Sequence, residues 1–108
     1  MKTLVWSPLA ERDVADAAYW YAKEGGLALG EEFLAGVDAC LEQVGRFPQT
    51  GSAAHAGLFP DLPVPLRFLL LKRFDRYLIY YLDLPERVVI IRIWDASRGL
   101  DALMKPSE

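Results

Sequence analysis

The sequence predicts an α+β domain: an N-terminal strand and an antiparallel αα-hairpin packed on a C-terminal antiparallel β-meander. Three observations lead there. Two stretches of helical period fall in the first half and are separated by a Gly-Gly pair. Three strand-type runs follow from Leu66, joined by short turns, and short turns imply antiparallel neighbours. Helices grouped ahead of an antiparallel sheet pack together on one of its faces.

"KTLVW" (2–6) is a short β-type run that pairs with the sheet in a direction the sequence leaves open. Ser7 then offers an N-cap and Pro8 suits the first helical position. Glu11 and Asp13 sit in the early turns, where negative charge favours the helix dipole. Val14, Ala17, Ala18 and Tyr21 form an i, i+3, i+4, i+7 stripe, and Gly25 and Gly26 end the helix. At ~100° per residue, "YWY" (19–21) cannot all face one way. Tyr21 joins the buried stripe, Trp20 flanks it, and Tyr19 turns toward the side of Arg12, Asp16 and Lys23. Tyr19 and Trp20 read either as anchors for a protein partner, as exposed aromatics beside charges often are, or as rings snorkelling over their own neighbours.

A second helix covers 28–46. Leu29, Phe33, Val37, Cys40, Leu41 and Val44 share one face; Glu31, Ala35, Asp38 and Glu42 share the other. Cys40, the only cysteine, therefore reads as a core residue rather than a nucleophile. "RFPQTGSAAHAGLFPDLPVP" (46–65) breaks regular structure with four prolines and two glycines. It holds the only histidine, His55, among Ala, Gly and Ser, and reads as a solvated loop residue.

The β-rich half reads "LRFLLLKRF", "RYLIYYLDL" and "RVVIIRIW", with "LPE" (84–86) as the second turn. Strand alternation puts Arg76, Leu78, Tyr80 and Leu82 on one face and Tyr77, Ile79, Tyr81 and Asp83 on the other. It also puts Val88, Ile90, Arg92 and Trp94 on a common face. The last segment holds one weak helical turn before Pro106.

The totals bound the function. A chain of 108 residues makes one domain, 1–108, and can hide roughly 65% of its unfolded surface without metals or disulfides. One cysteine permits no internal disulfide, which suits a reducing cytoplasm. The opening residues have neither the apolar run of a signal peptide nor that of a membrane span. Net charge is −3, which argues against stable nucleic-acid binding. Yet residues 66–98 carry 7 Lys/Arg against 4 Asp/Glu, while residues 1–65 carry 4 against 9. The second half is thus locally basic on an acidic protein, which reads either as solvated strand edges whose charges discourage edge-to-edge association or as a docking surface for an acidic partner.

No Ser-His-Asp or Cys-His set can be assembled, and no zinc pattern or phosphate-cradling glycine loop is present, so no cofactor and no metal are expected. A metal-free ribonuclease would need an acid, a base and cations around the phosphate. Arg67, Arg76, Tyr77, Tyr80, Arg92 and Arg98 are the residues that could supply them. For each arginine, pairing with Asp75, Asp83 or Asp95 across the strands is the plainer role.

Taken in order, "WSPLAERDVADAAYWYA", a helix ending in "RFPQTG", "LRFLLL", "RYLIYYLD" and "VVIIRIWDASRGLDAL" resemble the ParE branch of the RelE/ParE toxin superfamily, over residues 3–101. These are toxins of type II toxin–antitoxin, or plasmid-stabilisation, modules. The resemblance implies a cytoplasmic toxin that binds and inhibits DNA gyrase and is neutralised by a cognate antitoxin. It implies a partner-binding surface built from Tyr19, Trp20, Arg67, Arg76, Tyr77, Arg92, Asp95 and Arg98. RelE-type relatives instead cut messenger RNA on the ribosome. Their chemistry transfers poorly here. Arg98 matches one RelE arginine, the second-strand arginine falls nearest Tyr77, the C-terminal tyrosine has no counterpart, and residues 48–65 contain no lysine or arginine. Family members carry histidine in an H-x-x-R element where this chain has Asp95 in "WDASR". That departure implies either a decayed, antitoxin-binding member or a structural role for Asp95, pairing with Arg98 or capping the terminal turn.

Overall fold

In the computed structural model, which describes residues 1–105, the element order is β1 (Thr3–Trp6), α1 (Pro8–Gly25), α2 (Leu27–Arg46), β2 (Arg67–Leu70), β3 (Tyr77–Asp83) and β4 (Arg87–Asp95). Single 3₁₀ turns lie at Ala56–Leu58 and Ala96–Arg98. The sheet order is β1-β4-β3-β2. β2, β3 and β4 form the expected antiparallel meander, and β1 adds to β4 in parallel, so the sheet is mixed. The direction of β1 follows from the hairpin: two helices carry the chain out and back before it re-enters the sheet.

Ser7 performs the expected cap, its Oγ accepting from the Ala10 amide at 3.0 Å. The same residue is tied to the sheet. Its Oγ donates to the Ile91 carbonyl at 2.8 Å and its amide to Ile90 at 2.9 Å. Gly26 stands between the helices at φ 95°, a conformation only glycine takes readily, and caps both of them. Gly30 lets α2 lie against α1: a Cβ there would come within 2.9 Å of the Ala18 carbonyl oxygen and the Ala22 Cβ.

The sheet is buried on both faces. One face, with Ile79, Tyr81, Val88, Ile90 and Ile93, meets Ala17 and Tyr21 of α1 and Phe33, Val37, Leu41 and Val44 of α2. Cys40 packs against this core, and burial pushes its thiol up to about 11. The other face, with Leu78, Tyr80, Leu82 and Trp94, is covered by Phe59, Leu62, Val64 and Leu66 from the long connection and by Leu100 and Leu103 after β4. The proline-rich stretch is thus a lid on a second core. No helix periodicity marks it, because irregular chain buries its apolar residues at no fixed spacing.

Two expectations are corrected here. His55 is not a solvated loop residue. Its Nδ1 lies 2.8 Å from the Tyr80 hydroxyl and its ring stacks on Phe68 at 4.5 Å, so it pins the lid to the sheet. Nor do Val88, Ile90, Arg92 and Trp94 share a face. Tyr80 pairs with Arg92 but Tyr81 pairs with Ile90, so Ile91 is an extra residue, a β-bulge. The bulge reverses the alternation, sending Val88 and Ile90 to the helix side and Arg92 and Trp94 to the lid side. Its carbonyl is the one that Ser7 Oγ satisfies.

Candidate functional site

β1 ends opposite Ile90, so the rest of β4 has no strand along that edge. α1 runs past the gap. Asp13 fills it, its Oδ2 accepting from the Ile93 amide at 3.1 Å. Beyond Asp13 a cleft of about 270 Å³ opens between α1 and the end of the sheet. One wall is Asp13, Asp16, Ala17 and Trp20, at i, i+3, i+4 and i+7 on α1. Tyr77 and Ile93 come from the strands, and Arg76, Asp95 and Arg98 form the rim.

Trp20, Arg76, Tyr77, Asp95 and Arg98, five of the eight residues singled out in the sequence, therefore meet in one place. Arg76 is the hinge of the rim. Its Nη2 donates to Asp95 Oδ2 at 2.9 Å, its Nε lies 3.4 Å from Oδ1, and its guanidinium lies 5.8 Å from the Trp20 ring centroid. Asp95 also accepts from the Ser97 amide at 2.9 Å and the Ser97 hydroxyl at 2.8 Å. Burial works to raise the Asp95 pKa, but the Ser97 hydrogen bonds and the Arg76 charge outweigh it and hold the carboxyl below its ordinary value. The hydrogen bond to Asp95, and then its charge, raise the Arg76 pKa further. So Asp95 caps the terminal turn as expected, but its ion-pair partner is Arg76 rather than Arg98.

Arg98 is exposed and packs over Trp94, guanidinium to ring centroid 4.2 Å, with no carboxylate partner among the described residues. Tyr77 is half-buried against Tyr21 and Phe33, and burial is the main cause of its raised pKa, so it stays a neutral phenol at ordinary pH.

The other three residues lie elsewhere. Arg92, which the sequence places in the surface set, is 1% exposed. Its Nε and Nη2 bind the two oxygens of Asp13 at 2.7 and 2.9 Å, and its Nη1 donates to the carbonyls of Leu103 and Lys105. The bulge at Ile91 turned it inward, and it can offer a partner nothing. Arg67, on the far edge strand, donates to the carbonyls of Gly51 and Gln49 and so holds the start of the long connection. Tyr19 is exposed on α1 but does not line the cleft.

Sequence reasoning missed Asp13, Asp16, Ala17 and Ile93. The helical stripe Asp13-Asp16-Ala17-Trp20 is a usable signal, obscured because the helix dipole alone accounts for Asp13 and Asp16 shares the side of Tyr19. Among the described residues no group of His, Cys, Asp and Glu could hold a metal ion, and no helix is long and apolar enough to cross a membrane.

A family model described as the ParE toxin of type II toxin–antitoxin system, parDE, matches residues 4–100. Among solved structures, a chain from "Chromosomal ParDE TA system from P. aeruginosa" is similar with a TM-score of 0.69. It is 17% identical, over 86% of this chain and 94% of that one, a likeness of fold. No curated protein matches the chain.

Proposed function

The chain belongs to the ParE toxin family of type II toxin–antitoxin systems, and from that premise we propose that it stops growth by binding DNA gyrase in the cytoplasm. A cognate antitoxin neutralises it by covering the cleft and the neighbouring surface of α1.

The state of the arginines carries this reading. Phosphate chemistry needs cations free to meet charge that develops in the transition state. Here Arg92 is buried on Asp13, Arg76 is held by Asp95, and Arg67 is spent on backbone carbonyls. Within that set only Arg98 remains on the cleft without an anionic partner among the described residues. The neutral phenol of Tyr77 is a poor general base. What remains is a shallow aromatic and charged surface, with Trp20 45% and Tyr19 69% exposed, and such surfaces anchor protein partners.

The test is controlled expression in a bacterial host, following DNA supercoiling and messenger-RNA integrity in the same culture. Growth arrest with lost supercoiling or DNA damage and intact messages is the expected result. Arrest with cleaved messages would replace this reading with a RelE-like ribonuclease. No arrest would leave a decayed member that binds antitoxin without being toxic.

A further inference from the structure

We infer that Asp95 bars phosphate from the cleft, by occupying the Arg76 guanidinium with a carboxylate of the protein's own. The inference rests on the reading of this cleft as a protein-binding surface and names the residue that keeps it one.

Two guanidinium groups, Arg76 and Arg98, reach the same cleft, and paired guanidinium forks are the usual means of gripping a phosphate. One fork is already taken. The Nε and Nη2 edge of Arg76 faces both Asp95 oxygens, and the guanidinium carbon lies 5.8 Å from the Trp20 ring centroid. Asp95 cannot easily swing aside, because the Ser97 amide and hydroxyl both bind its Oδ1. Its side chain is 19% exposed, so little water screens it. The charges agree. Asp13 is neutralised by Arg92, which leaves Asp16 and Asp95 against Arg76 and Arg98, an even balance. An incoming dianion would meet two carboxylates for two cations and would have to break an ion pair to use the second cation. Without the Asp95 charge the cleft holds one positive charge in excess and a free guanidinium edge.

The substitution Asp95→Asn removes the charge and keeps an oxygen that can accept from the Ser97 amide, so the terminal turn stays capped. Inorganic phosphate is titrated into the purified full chain, and the amide NMR signals of Tyr77, Ser97 and Arg98 are followed. The native chain is expected to show no saturable shift. D95N is expected to bind phosphate at least about tenfold more tightly, a change of about 1.4 kcal/mol. The double variant D95N/R98A is expected to lose that gain. Should D95N unfold, Asp95→Ser, which also leaves an uncharged capping oxygen, answers the same question. Native protein that binds phosphate as tightly as D95N overturns the inference, as does a folded uncharged variant that gains nothing. Either result leaves the gyrase reading in place, since that reading is decided by the expression test, through message cleavage or the absence of growth arrest.

Discussion

Arg92 on β4 and Asp13 on α1 form the only buried ion pair among the described residues, with Arg92 1% and Asp13 9% exposed at the side chain. The pair ties together three parts of the molecule. Asp13 also accepts from the Ile93 amide where β4 has lost β1, and Arg92 also holds the carbonyls of Leu103 and Lys105. The back wall of the cleft and the chain at Leu103 and Lys105 are thus fixed by one carboxylate and one guanidinium.

Asp13→Ala should therefore be among the most destabilising single changes. It leaves a buried guanidinium uncompensated, at a cost of about 3–5 kcal/mol. Urea denaturation would show a lower midpoint, and replacing both residues with apolar side chains should recover much of the loss. A D13A midpoint equal to that of the native chain would mean that Arg92 finds water.

Gly30→Ala should cost about 1–3 kcal/mol, because the new methyl meets the Ala18 carbonyl oxygen and Ala22 across the helix pair. On an isolated helix the same change would help. Thermal melts of G30A decide between the two signs.

His55→Ala should lower stability by about 1 kcal/mol, through loss of the hydrogen bond to Tyr80 and the stack on Phe68. Arg98→Ala should leave stability within about 0.5 kcal/mol of the native chain and weaken antitoxin binding or toxicity. Binding and melting measured on both variants separate the lid from the surface. Binding loss in folded H55A equal to that in R98A would move the partner site to the lid.

Asp95 gives a pH dependence of known sign. Its folded pKa lies below the unfolded value, so its stabilisation is fully present above about pH 4 and is lost as the pH falls through the folded pKa. Carboxyl NMR titration should place Asp95 below the ordinary aspartate value, and D95N should flatten the acid limb of the stability curve. Between pH 5 and 7 this group should contribute no slope.

Burial of the Cys40 thiol raises its pKa to about 11. Alkylation at pH 8 should be slow in the native chain and rapid in denaturant, since only the thiolate reacts. Fast native labelling would mean that α2 opens away from the sheet.

Element types and their order are legible in the chain alone, because periods of 3.6 and 2 and the Ser-Pro and Gly-Gly punctuation are local properties. It also named most of the cleft rim, since charges and aromatics that cannot be buried cheaply stand out in a chain of this size. Three features depend on contacts between distant parts of the chain. The parallel pairing of β1 depends on where the hairpin delivers the chain. The lid over the second sheet face depends on apolar residues that irregular chain spaces without period, and on His55, which pins it through Tyr80 and Phe68. The inward turn of Arg92 depends on one extra residue at Ile91, whose carbonyl only a folded Ser7 can satisfy. A single bulge inverts every side chain beyond it, and nothing in the local pattern of "RVVIIRIW" marks where it falls.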